Sequence, residues 1–181
     1  MEHLRMYMDD QIKRAYLFNL TESKLKKPAC VTTKRFNKFT FTDLIEQQIG
    51  FNQYFFLTRE LLDTCKLYEP SLSGTIFSVV EQNRDLEQMQ ADALNKTMEK
   101  YQEQIKARYE KKAEDITRPY WKLDISSCLT TADLTDPQLN ETHFFISTAQ
   151  PKPHIIVSLY LCESILRRLP TGLLFKKLEK G

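Results

Sequence analysis

The sequence predicts an α+β protein: an N-terminal helical domain, a long charged helix, then a small three-stranded antiparallel sheet with a C-terminal helix. Three observations lead there. Apolar residues recur at helical spacing early in the chain; no Pro or Gly falls between Ile76 and Arg118; and after Pro119 apolar and polar residues alternate. The domain division is 1–75, with a basic loop at 21–40, then 76–118, then 119–181.

Leu4, Tyr7, Met8, Ile12, Ala15 and Phe18 predict the first helix. From Thr21 to Thr40 the chain is basic and broken by Pro28, which reads as a loop. At Asp43 a side-chain oxygen can cap a second helix, with Glu46 completing a capping box. The apolar run Leu44, Ile45, Ile49, Tyr54, Phe55, Leu61, Leu62, Cys65 follows as the centre of a helical core, weakened at Gly50. Pro70 and Gly74 then punctuate the chain.

The long helix carries a narrow stripe: Leu86, Met89, Leu94, Met98, Tyr101, Ile105, Tyr109, Ala113 and Ile116. Charges surround it, the pattern of one-sided packing or of a short coiled coil. Beyond Pro119, Trp121–Ile125 alternates as a half-buried strand does. Two more strands are expected from Thr142 to Ser147 and from Ile155 to Leu161, joined through Pro151-Lys152-Pro153. The tail from Glu163 to Lys180 has helical spacing, interrupted by Pro170.

Composition excludes more than it assigns. With only 4 Gly, widely separated, the chain has no loop able to bring successive backbone N–H groups onto a phosphate. No apolar run resembles a secretory signal or a membrane span, so a soluble cytoplasmic protein is expected, with the nucleus as a second compartment. Cys30, Cys65, Cys128 and Cys162 lie far apart and read as reduced thiols, with Cys128 and Cys162 as buried small hydrophobes. His143 and His154 come near the ends of successive expected strands, but without a closely spaced ligand pair they predict no metal site. No nucleophile elbow or zinc-protease word occurs, and the many carboxylates between Glu81 and Asp115 alternate with Lys and Arg. The expectation is a protein with no catalytic residues and no cofactor.

Residues 1–38 carry nine Lys/Arg against four Asp/Glu. Lys24, Lys26, Lys27, Lys34, Arg35 and Lys38 stand beside Phe36, Phe39 and Phe41. Cations for phosphates with aromatics for stacking make nucleic-acid binding the alternative function. The plainer reading has the phenylalanines anchored in the core and the charges in water.

The string Trp121-Lys122-Leu123-Asp124-Ile125-Ser126-Ser127 resembles the opening strand of the COMM domain. Asp136-Pro137, the strand from Glu141 to Ser147, the apolar strand from Ile155 to Leu161 and an amphipathic helix follow in the family's order. The resemblance covers roughly residues 118–174. It implies a non-enzymatic subunit of a hetero-oligomeric scaffold for endosomal cargo recycling, with COMM-type or coiled-coil partners. An RWD-like module after a coiled coil, as in kinetochore subunits, shares the strand order. The partner interface expected from the apolar face comprises Trp121, Leu123, Ile125, Phe144, Ile146, Ile155, Val157, Leu159 and Leu161.

Overall fold

The computed structural model describes residues 1–9, 16–18, 30–35, 42–83, 91, 93–96, 98–104, 106–107 and 116–178. Strands dominate them, which overturns the helical reading of the N-terminal half. The strands are β1 (His3–Met8), β2 (Tyr16–Phe18), β3 (Cys30–Arg35), β4 (Leu44–Ile49), β5 (Asn52–Leu57) and β6 (Gly74–Asn83). They continue with β7 (Ile116–Leu123), β8 (Leu129–Thr131), β9 (Phe144–Ser147), β10 (His154–Ser158) and β11 (Leu173–Lys177). Among the short helices are α1 (Arg59–Tyr68) and α2 (Leu159–Leu166).

The chain divides into two compact units: Met1–Lys13 with Phe41–Phe77 and Pro119–Gly181, and Arg14–Thr40 with Ser78–Arg118. The first unit contains a five-stranded sheet in the order β11-β1-β10-β9-β8. All its pairs are antiparallel except β8 with β9, which is parallel. It also holds residues 74–77 of β6 and 119–123 of β7 with β5 and β4, in the strand order β6-β7-β5-β4. In the second unit β2 pairs antiparallel with β3, and β3 pairs parallel with β6 from Cys30↔Ser78 to Arg35↔Asn83.

Each corrected element has a local reason. Leu4, Met6 and Met8 share one side of β1, and the strand pairs with β10 on one side and β11 on the other. Leu, Met and Arg are good helix formers in isolation, but two ladders from distant parts of the chain outweigh that preference. The run read as a helix from Asp43 is a hairpin. Gly50 takes φ +60° and Phe51 does not, as a type II′ turn requires, and Ile49 pairs with Asn52 across it. The Gly-Phe dipeptide between β-branched and aromatic residues was therefore a turn signal. Thr58, not Asp43, opens the helix that follows; its hydroxyl accepts the Leu61 N–H at 3.4 Å. Leu61, Leu62 and Cys65 are helical and buried, as the spacing implied.

The expected helix over 76–118 begins and ends in strand. Phe77 and Val79 are buried while Ile76 and Ser78 are exposed, a period of two that a search for missing Pro and Gly overlooks. Residues 93–96 and 102–104 are helical, with a 3-10 turn at Glu99–Tyr101 between them. Pro119, read as a stop, lies within β7, ahead of the Trp121 and Lys122 positions that pair with β5.

The three-stranded sheet is correct only in its hairpin. β9 and β10 pair antiparallel from Phe144↔Val157 to Ser147↔His154. The Trp121 strand lies instead against β5, and β1 takes the place beside β10. At Ser158 the chain turns into α2, so Leu159 and Leu161 are helical. The tail helix stops by Leu169, whose backbone is left-handed (φ 51°), and the chain returns as β11.

One core joins these parts of the first unit. Met6, Leu44, Phe55, Leu57, Leu61, Leu62, Leu123, Phe144, Ile146, Ile155, Val157, Leu161 and Ile165 pack together. A smaller cluster of Leu139, Phe145 and Ile156 covers the other face of the hairpin. Both faces of β9 and β10 are thus buried.

Candidate binding groove

β7 pairs with β5 only at Lys122↔Phe56 and Trp121↔Leu57, so the tip half of the β4–β5 hairpin extends beyond that pairing. Asp124 ends β7 abruptly. Its N–H donates to the Ser73 carbonyl at 2.9 Å, and its carboxylate accepts the hydroxyls of Ser73 (3.0 Å) and Thr75 (3.1 Å). Its carbonyl then accepts from Ser127 N–H and hydroxyl, winding Ile125–Ser127 into a 3-10 turn. A groove of about 530 Å³ opens between the overhanging hairpin and the end of the five-stranded sheet. That size is usual for a ligand site.

Phe51, Asn52, Gln53 and Tyr54 form one wall of the groove. Leu123, Ile125 and Ile146 supply apolar surface, and Thr130, Thr148 and Pro153 close the far side. Phe51 is fully exposed and Ile125 is partly so. Charge is sparse: among the described lining residues only Lys122 and Asp124 are charged at neutral pH, one of each sign. The Lys122 ammonium lies 5.8 Å from the centre of the Phe77 ring.

The expected interface residues are placed mostly inside this unit. Leu123, Phe144, Ile146, Ile155, Val157 and Leu161 are buried, and Trp121 and Leu159 are half-buried. The face thought to need a partner is covered by the chain's own α1 and β4–β5 hairpin. Of the nine, Leu123, Ile125 and Ile146 reach the groove. Lys24, Lys26, Lys27 and Lys38 lie outside the described residues, while Lys34 and Arg35 belong to β3. Phe51, Asn52, Gln53 and Tyr54 fall in the stretch whose spacing predicts a helix, which hides the hairpin tip they form.

A second polar cluster surrounds His143. Its Nδ1 lies 2.8 Å from the Ser158 hydroxyl, and its backbone N–H donates to Glu69 Oε1 at 2.7 Å. A serine beside a histidine suggests a nucleophile and base. Ser158, however, is wholly buried and its oxygen accepts the Leu161 N–H, capping α2. Tyr68 and Tyr160 flank the imidazole with ring centres at 5.1 and 6.4 Å. The pair serves to fix the start of α2. His154, at the other end of the hairpin, pairs in register with Ser147.

Burial pushes the Cys65 thiol up to about 12 and the Cys128 thiol up to about 11. The Cys162 thiol is raised by the same cause. Thiols so shifted are poor nucleophiles at neutral pH. Among the described residues no group of three or more His, Cys, Asp or Glu is placed to hold a metal ion. No described helix is long and apolar enough to cross a membrane. A small cleft of about 40 Å³ lined by Asp43, Thr64 and Arg168 has room for little beyond water. Compared with known protein families, curated proteins and solved structures, the chain matches none.

Proposed function

We propose that this protein acts by binding other proteins, as a non-catalytic subunit of an assembly. The groove beside the β4–β5 hairpin is the observation that carries the reading. It combines exposed apolar surface at Phe51 and Ile125 with amide and hydroxyl groups at Asn52, Gln53, Ser126, Thr130 and Thr148. Such a mixture suits a polypeptide, which presents apolar side chains and a hydrogen-bonding backbone together. Its near-balanced charge gives little to a polyanion, whose recognition begins with clustered cations. Residence in a larger assembly, which the COMM resemblance implies, belongs to the same proposal.

The test is purification of the tagged full chain from its own cells, with the bound molecules identified by mass spectrometry and their stoichiometry measured. A protein recovered in fixed ratio at high salt supports the reading. Nucleic acid that leaves as salt rises, or turnover of a metabolite by the purified chain, overturns it.

A further inference from the structure

We infer that the groove takes an extended, largely uncharged peptide segment of a partner protein, laid against the outer edge of β8; this rests on the protein-binding role proposed above. β8 is the last strand of its sheet, paired only with β9 among the described residues. The Thr131 carbonyl accepts the Thr148 N–H at 2.9 Å, so the backbone groups of Thr131 face β9. Backbone direction alternates along a strand, and those of Thr130 therefore face outward. Thr130 lines the groove. An added strand can exchange hydrogen bonds with it there, the manner in which sheet edges take up peptides.

Side-chain chemistry narrows the ligand. Ile125 and Pro153 offer apolar contact, and Phe51 at the hairpin tip stands exposed on the opposite wall. Alternate side chains of an extended peptide point to opposite sides, so apolar residues at every second position meet these surfaces. Both carboxylate oxygens of Asp124 already accept hydroxyl hydrogens, and the other charged residue among the described lining is Lys122. Neither a phosphate chain nor a strongly acidic or basic peptide finds complementary charge.

The experiment screens the full chain against a displayed library of random linear peptides. The selected peptides are then measured on wild type and on three variants. Ile125→Asp places a charge on the apolar wall, and Thr130→Pro removes an outward N–H without breaking the ladder to β9. Leu67→Asp alters an exposed position of α1 that does not line the groove. All three should melt close to wild type. Binding is expected to fall at least tenfold in Ile125→Asp and in Thr130→Pro and to be unchanged in Leu67→Asp. Loss in Ile125→Asp alone overturns strand addition. Peptides indifferent to both groove variants, displacement by a single-stranded oligonucleotide, or no selected peptide at all overturns the groove assignment. Should the cellular partner still co-purify with both groove variants, the general protein-binding role stands and only this inference falls.

Discussion

Asp43 is the polar residue whose loss the first unit should feel most. Replaced by Ala, it removes an acceptor that ties three distant segments together. Its Oδ1 accepts the Thr58 hydroxyl at 2.7 Å, and its Oδ2 accepts the Thr171 N–H at 2.7 Å. Its own N–H donates to the Thr171 carbonyl at 2.9 Å, and its carbonyl accepts the Thr58 N–H at 3.0 Å. The backbone bonds survive truncation, but the two to the carboxylate do not. Hydrogen bonds to a charged group contribute about 1.5–3 kcal/mol each. Thr58 keeps its bond from Leu61, so the helix cap partly persists. A net loss of about 3 kcal/mol follows, lowering the melting temperature by roughly 6–12 °C for a chain of this size. Asp43→Asn retains one acceptor and should lose about half as much. The assay is a thermal and urea melt followed by circular dichroism, beside Thr58→Val and the double variant. Since the pair shares one bond, the double variant should lose less than the two singles combined. An Asp43→Ala protein melting within about 2 °C of wild type would refute the reasoning, because a stitch of this kind cannot be that cheap.

Three further outcomes are expected. Gly74→Val should destabilise more than Gly74→Ala in urea melts, because a Cβ there meets Trp121 Cβ at 3.0 Å and the Lys122 carbonyl at 3.1 Å. Tyr120→Ala should cost more than Trp121→Ala in the same melts, since Tyr120 is fully buried and donates its hydroxyl to the Thr42 carbonyl at 2.7 Å while Trp121 is half-buried; truncating a buried aromatic costs about 3–5 kcal/mol. In the native chain Cys65, Cys128 and Cys162 should resist alkylation at pH 8, and the protein should lose stability in alkali. The Cys65 and Cys128 thiols are raised from 9.0 to about 12 and about 11, so the unfolded chain releases protons first. Their contribution is complete below pH 9 and declines as pH rises toward those folded values, visible as a melting temperature that falls from pH 9 upward and falls less steeply in Cys65→Ala.

The elements legible in the sequence were those with unambiguous local patterns. The β9–β10 hairpin appeared because Phe144, Ile146, Ile155 and Val157 alternate, and α1 appeared in part because Leu61, Leu62 and Cys65 keep helical spacing. Periodicity fails where a strand is buried on both faces or flanked on both sides. β1 is both short and central, and its Leu, Met and Arg content favours a helix until β10 and β11 are brought beside it. For β6 the absence of Pro and Gly points to a helix, while Thr75-Ile76-Phe77 and Val79-Val80 are branched and aromatic residues that favour a pleated surface. The groove brings together residues 51–54, 122–126, 130, 146, 148 and 153, so its Phe51 wall and Thr130 wall could not be associated from spacing.

The string Trp121–Ser127 holds the junction from which the groove arises. Trp121 brings its Cβ against Gly74, where a side chain on the facing strand would collide, so β6 and β7 approach closely. Leu123 enters the core. Asp124 then binds Ser73 and Thr75 on β6's approach and its own following turn at Ser127, which prevents β7 from continuing along β5. Ser127 reinforces the stop by accepting the Ser73 N–H at 3.0 Å. With β7 halted, the hairpin tip extends past it, and Ile125 is left on the wall that the overhang exposes. A strand word ending in Asp followed by serines is therefore explained by the turn it makes: a carboxylate and hydroxyls replace the ladder partners that the end of the strand gives up. The apolar face upstream is covered by the chain itself, and the groove proposed above to take a peptide lies where that strand ends.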